Sequence, residues 1–420
     1  MASPSSVLDA QTRRLLSHQL SANLLEDSAE NAQAFYSRLV WSRLVEPGDK
    51  AAGALTGQLG PAQALELLLS QNRPPTQQSS ATQKPVANQT SPMCNSTISA
   101  EALERWLPRL SLRRISFDLN IAATRGFQIV TPESQLWPGM LTDLQESAPQ
   151  VLWCSGDVNV LNQKMLAVVG ARAATSYGEN VTAELVSGIA ASGNAIVSGG
   201  AFGIDAAAHR AAISSGSQTV AVLAGGVDRL YPSAHAQLFE KIVRSGAVVA
   251  EMPPGQAPTK WRFLQRNRLI AAISKATLVC EAGHRSGSLN TAGHAAELGR
   301  PLGAVPGPIT SASSAGCHRL FRDYAAICIR SVSDLLELLG EAADSESERL
   351  LPGESDEHRR VLDALGGRRY VMIDSISRAA GLSQREVAAV LVELELLNLV
   401  TGTSAGWRRT PDPELRRGIN

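Results

Sequence analysis

From residue 126 onward, short apolar runs alternate with longer alanine-rich stretches. The runs at 166–169, 195–197, 219–223, 247–250, 276–279 and 301–304 are almost continuously apolar rather than apolar at every second position. A strand that is apolar on both faces must be covered on both faces. The stretches between them, at 178–192, 204–214, 234–245, 265–273 and 291–298, predict helices. Strand–helix alternation of this kind predicts an α/β domain, a parallel sheet covered by helices on both faces. Such a sheet takes ligands at the C-terminal ends of its strands, near the point where strand order reverses.

The flanks follow other periods. Between residues 28 and 69, apolar side chains such as Leu39, Val40, Leu44 and Val45 recur at helical spacing and end in the run Leu65, Leu67, Leu68, Leu69. Residues 101–123 continue in the same way, so a small helical domain is expected over 1–115. It is interrupted by a Gln/Pro/Ser/Thr/Asn-rich linker or insertion at 71–97, too poor in apolar residues to order itself. The α/β domain is expected over 116–340, followed by an acidic linker at 341–355. Over 356–411, helices at 359–365 and 374–380, a turn at Gly381, a third helix capped by Ser383 and a hairpin at 400–407 predict a winged helix-turn-helix. Asp374 is expected to cap the second of these helices. The third helix carries Glu386, Glu393 and Glu395 against one Arg385. Acidic side chains disfavour a helix in the major groove, which points to protein contact instead.

Composition narrows the chemistry. With 420 residues and 44% hydrophobic content the chain can bury a large core, and 39 basic side chains balance 39 acidic ones. Any attraction for nucleic acid must therefore come from a local patch. Nearly all the basic residues are arginine, which suits bidentate phosphate contacts but also fits a genome rich in G and C. The five cysteines contain no C-x-x-C pair, which argues against a zinc site and a disulfide framework. Residues 1–14 lack the apolar core of a signal peptide and no apolar run is long enough to span a bilayer, so a cytoplasmic protein is expected.

The informative residues cluster where strands end. After the run at 166–169 come Gly170, Ala171 and Arg172, opening a helix near Gly178; such a turn exposes N–H groups and a positive helix end to an anion. A tight turn with a surface arginine is the plainer alternative. One unit later, Ser198-Gly199-Gly200 is followed by Gly203 and Asp205, with glycines where the backbone approaches a ligand. Neither turn matches G-x-x-x-x-G-K-[ST], which argues against a P-loop triphosphatase. His209, without a cysteine or carboxylate cluster nearby in sequence, reads as a packed helical histidine. Lys260, Trp261, Arg262, Phe263, Arg266, Asn267 and Arg268 interleave basic and aromatic groups, offering phosphate charges and a platform for a base. At least one of Trp261 and Phe263 is expected in the core. Ser286, Gly287 and Ser288 place hydroxyls and N–H groups at another helix start. Glu251 and Asp228 read as braces for loops. Together these turns suggest a phosphate-binding rim, with no metal ligands, cofactor motif or paired catalytic carboxylates.

In order and spacing, the motifs VVGAR, SGGAFGIDAAAH, AGGVDRLYP, AEMPPG, FLQRNRLIA, SGSLNTA and AVPG resemble the DNA-processing protein A (DprA, also called Smf) family across residues 136–339. The helical N-terminus is similar to the sterile-alpha-motif-like (SAM-like) domain of many members, and the C-terminus to their winged helix. The resemblance implies an extended Rossmann-like domain that binds single-stranded DNA, forms a homodimer and helps load the recombinase RecA on incoming DNA during natural transformation. It puts the family's G-[ST]-R motif on Gly170, Ala171 and Arg172, its Ser-Gly-Gly motif on Ser198, Gly199 and Gly200, and its R-N-R motif on Arg266, Asn267 and Arg268. Ala171 departs from the usual hydroxyl residue, and His318 and Phe321 from the usual asparagine and aliphatic residue. Two readings compete with it. A Rossmann-like nucleotide phosphoribohydrolase would need P-G-G-x-G-T-x-x-E, which is missing here; a winged-helix transcription regulator would bind duplex by sequence.

Overall fold

The computed structural model describes residues 10–22, 28–71, 98–341, 356–365, 369–397 and 399–410. Beyond their first residues, the polar segment expected at 71–97 and the acidic linker expected at 341–355 lie outside the described residues. The chain divides into two compact units, 1–341 and 342–420.

The first unit is built on a nine-stranded sheet. In chain order its strands are β1 (Gln128–Val130), β2 (Leu152–Gly156), β3 (Met165–Val169), β4 (Ala195–Ser198), β5 (Thr219–Leu223), β6 (Ala247–Ala250), β7 (Ala276–Val279), β8 (Leu302–Ala304) and β9 (Ile327–Cys328). Their spatial order is β1-β2-β6-β5-β4-β3-β7-β8-β9. From β6 to β9 all pairs are parallel, as the apolar runs predict. β1 and β2 are an antiparallel addition at the β6 edge, which the sequence pattern did not anticipate.

Strand alternation assigns side chains to faces. Ala167, Val169, Val197, Val220, Val222 and Val249 share one core with Leu269, Ile270, Ala292 and Leu320 from helices on that face. On the other face the sheet serves two cores. Leu166, Val168, Ile196 and Leu278 pack with Leu185, Ala208 and Leu335. Ala221, Leu223, Val248 and Ala250 instead share a core with Phe239, Ile242 and the N-terminal helical residues Leu39, Trp41, Leu65 and Trp106. The N-terminal helices are thus continuous with the sheet's core, and helix Leu112–Arg125 runs across the boundary expected at 115/116.

Helix Lys260–Ala272 begins five residues before the apolar pattern suggests, because the Thr259 hydroxyl accepts the Arg262 N–H and the first turn is largely polar. His209 is fully buried, as its surroundings in sequence suggest, with Nδ1 2.7 Å from Thr219 Oγ1. That hydroxyl donates to the Ile196 carbonyl at 2.9 Å, so Nδ1 carries the proton in the neutral ring. Burial, aided by the positive charges of Arg266, His235 and Arg210, lowers the His209 pKa to about 3. The unfolded chain takes up this proton near pH 6.5 and the folded chain only near 3. Stability from this residue is therefore complete above the unfolded value and is lost as pH falls through that window, by at most about 1.4 kcal/mol per pH unit. His209→Gln should flatten the fall of the urea midpoint between pH 6.5 and 4.5. An unchanged slope would show that the ring protonates in the folded state.

In the second unit, helices Asp356–Leu365, Ile373–Ala380 and Gln384–Leu396 and the hairpin β10 (Val400–Thr403) with β11 (Gly406–Arg409) enclose their own core. Gly381, at φ 64°, makes the expected turn, and Ser383 forms a capping box with Glu386. Met372, not Asp374, occupies the cap position of the second helix; Asp374 sits in its first turn and pairs with Arg378. The acidic side chains of the third helix serve the fold itself. Glu386 caps, Glu393 meets His358 at 3.0 Å, and Glu395 accepts the Gly402 N–H. Beside the exposed Glu393 and Glu395, that helix also presents the apolar Val392 and Leu396 outward near its end. No described helix is long and apolar enough to cross a membrane.

Candidate functional site

Strand order reverses between β3 and β7. The chain leaves β3 toward β4 on one side and β7 toward β8 on the other, so the turns after β3 and β7 diverge and leave a crevice. A cavity of about 620 Å³ occupies it. Its walls are the turn after β3 (Gly170 to Ala173), the turn after β7 (Gly283 to Ser288), the first turns of helix Lys260–Ala272 (Phe263, Leu264, Arg266, Asn267) and Ala312 with Ser313.

Two guanidiniums lie close to one ring. Arg172 lies 5.3 Å and Arg266 5.9 Å from the centroid of Phe263. Arg172 is exposed, and among the described residues no carboxylate pairs with it. Arg266 is buried; its Nη1 donates to the Val222 carbonyl at 2.6 Å and its Nε meets no partner among the described residues. Burial lowers its pKa to about 10, against the pull of nearby Asp205, so it remains a cation at neutral pH. The Asp205 carboxyl is raised by burial; Arg266 and the N–H groups of Ala201 and Gly199 oppose that shift. Arg285 adds a third, exposed guanidinium to the wall. Helix Ser288–Glu297 starts at the cavity wall, just after Arg285. Ser286 and Ser288 join hydroxyls there at 2.7 Å, and Asn267 reaches across to Asn290 at 3.1 Å. The cavity thus combines fixed cations, an aromatic face and a helix N-terminus, a set suited to a phosphate bearing a flat ring.

The family model for DNA recombination-mediator protein A matches residues 128–340, just over half of the chain, and that for the DprA winged helix domain matches residues 345–406. The chain belongs to the DNA recombination-mediator protein A family. It is 42% identical over 317 residues to a DNA processing protein DprA of Mycobacterium tuberculosis, covering 71% of this chain and 81% of that one. It is 34% identical over 289 residues to protein Smf of Escherichia coli, covering 67% and 77%. The X-ray structure of DprA from Streptococcus pneumoniae superposes with a TM-score of 0.51 at 34% identity, over 57% of this chain and 81% of that one.

In this DprA-family chain the residues singled out from sequence fall into two groups. Gly170, Arg172, Phe263, Arg266, Asn267, Ser286, Gly287 and Ser288 line the cavity together. The remainder stand behind or beside it. Arg268 is buried and forms a two-point ion pair with Glu251 at 2.8 and 2.9 Å. Arg262 is buried against Glu46 of the N-terminal segment at 2.7 and 2.8 Å. Helical spacing turns position 268 away from the face that carries 263, 266 and 267; Arg262 lies one turn before Arg266, at the edge of that face, where Glu46, Gln256 and the Ala257 carbonyl hold it. Lys260 is exposed outside the cavity wall. Trp261 is exposed and Phe263 half-buried, so neither is the core residue that sequence suggests.

The glycines of the Ser198–Gly199–Gly200 turn have a different role from the one expected. They admit the protein's own groups. A Cβ on Gly199 would sit 1.9 Å from Arg266 Nη1, and one on Gly200 2.6 Å from the Phe239 ring. The Ser198 hydroxyl is buried and donates to the Val168 carbonyl at 2.6 Å. This turn holds Arg266 in place from behind.

Glu281, missed as a functional position, braces the turn after β3. Its buried carboxylate accepts the N–H and hydroxyl of Thr175 at 2.8 and 2.9 Å, while its carbonyl accepts the Ala171 N–H at 2.7 Å. An acid two residues beyond a mostly apolar strand, at the head of a Gly/Ser-rich turn, was the available signal. Glu251 does brace Arg268, and Asp228 accepts the Gly255 N–H at 2.8 Å, as loop supports should.

Proposed function

We propose that this cavity holds single-stranded DNA and that the chain works as a binding protein, not a catalyst. The observation that carries the reading is the pair of guanidiniums beside Phe263 in an open crevice. Phosphates would meet Arg172, Arg266, Arg285 and the helix start at Ser288, while a base stacks on Phe263 for ~1–3 kcal/mol. Stacking needs an unpaired base, which favours single strands over duplex. Asp205, the carboxylate on the wall, has one oxygen tied to two backbone N–H groups and gives little support to glycosidic bond cleavage. Family membership supports the wider reading: a homodimer in the cytoplasm that delivers incoming strands to RecA during transformation.

The test is a competition titration of single-stranded against double-stranded DNA of the same length at several salt concentrations. Single strands should win, and log affinity should fall with log salt by about 0.7 for each phosphate held. Equal affinity for duplex would end the proposal.

A further inference from the structure

A second basic cleft opens on the same rim of the first unit. It lies where the loop after β6 meets the N-terminal helices, measures about 410 Å³, and is lined by Arg43, Arg109, Arg114, Ser111 and Gln256. Its charges do not balance. Glu46 is shared by Arg109 and Arg262, and Asp118 is held by Arg43. The Arg114 side chain is exposed, and among the described residues no hydrogen bond or ion pair engages its guanidinium, although its charge opposes the burial that raises the Asp118 carboxyl. Arg43, Arg109 and Arg114 in the cleft, with Arg262 beside it, outnumber Glu46, Asp118 and the neighbouring Asp228, and the surplus is positive.

The cleft adjoins the first cavity through a single helix. Around helix Lys260–Ala272, Phe263 points to the cavity and Arg262 to Glu46, and at 100° per residue Leu264 and Trp261 fall between them on the outer side. Both are exposed, Trp261 at 56% and Leu264 at 44%, and Lys260 is exposed beside them. Trp261 thus leaves more than half of its surface in solvent between two arginine sites. It suits a further stacked base, the arrangement by which proteins track an unpaired strand.

We infer that a single strand leaving the cavity passes over Trp261 into the Arg109–Arg114 cleft, making the N-terminal helices the second half of the DNA site. The inference rests on the reading of the cavity given above. A strand is favoured over an acidic peptide because the aromatic platform lies in line with both basic sites, and a peptide would not need it.

Arg114→Ala and Trp261→Ala alter exposed side chains and should leave the fold intact. Each full-length variant is titrated with oligo(dT) of about 5 and about 20 residues at low salt. Both variants should hold the short strand as the unaltered chain does. For the long strand, Arg114→Ala should bind about three- to fivefold more weakly, with a salt slope shallower by about 0.7. Wild-type affinity of both variants for the long strand would overturn the inference and leave the cavity reading standing. Equal loss for both lengths would also overturn it, since these residues would then act through the cavity. Failure of the unaltered chain to bind either strand would instead remove the cavity reading itself.

Discussion

Gly203→Ala should destabilise the first unit by about 3 kcal/mol or more. Gly203 stands at φ 72°, ψ −127°, a backbone region that side chains rarely enter, just before helix Ile204–Ser214. A Cβ there would lie 2.2 Å from the Ala171 carbonyl oxygen and 2.7 Å from that of Arg172. Both neighbours are backbone, so neither can swing aside. The Ala171 carbonyl also accepts the Ile204 N–H at 3.2 Å, which ties the turn after β3 to the helix after β4. Gly216→Ala provides the control: its φ is 75°, with nothing within 4 Å of the added carbon. That change should cost only about 1 kcal/mol of backbone strain. Urea unfolding of both variants separates clash from strain. If Gly203→Ala costs no more than Gly216→Ala, the two turns do not meet as described. The displaced turn carries Arg172, so surviving Gly203→Ala protein should also bind single strands poorly.

The six inner strands were legible because each is apolar on both faces and bounded by glycine or a helix. β1 and β2 were not, since a three-residue edge strand such as Gln128–Val130 has too few positions to show a period. The convergence of the turns after β3 and β7 was legible in kind, because parallel sheets gather such turns at one rim. Which arginine faces the cavity was not. Arg262, Arg266 and Arg268 look alike in a string, yet their partners are Glu46, the Val222 carbonyl and Glu251. Two of those partners lie on other elements more than forty residues away, and only the third is nearby in sequence. Glycines misled for the same reason. Sequence shows that a side chain is missing but not whether a ligand or a neighbouring phenyl ring fills the space.

That distinction among arginines sets the second large effect. Arg172→Ala should weaken single-strand binding by about 10- to 50-fold, with little change in stability. Arg172 is exposed and without a carboxylate partner among the described residues, so its loss leaves no buried charge stranded. It does remove one phosphate contact and one of the two cations at the Phe263 ring. The salt slope should fall by about 0.7, the signature of one lost phosphate on a single strand. Arg172→Lys should recover the slope but only part of the affinity, because a point charge cannot lie flat on the ring. Arg266→Ala is the contrasting case. It deprives buried Asp205 of its neighbouring cation and leaves the Val222 carbonyl without its donor, so binding and stability should fall together. Polarisation titrations beside urea midpoints would read both quantities for all three variants. Arg172→Ala with undiminished affinity would remove the strand from this crevice, whatever Arg266→Ala did, since a change that also loosens the fold cannot locate a ligand.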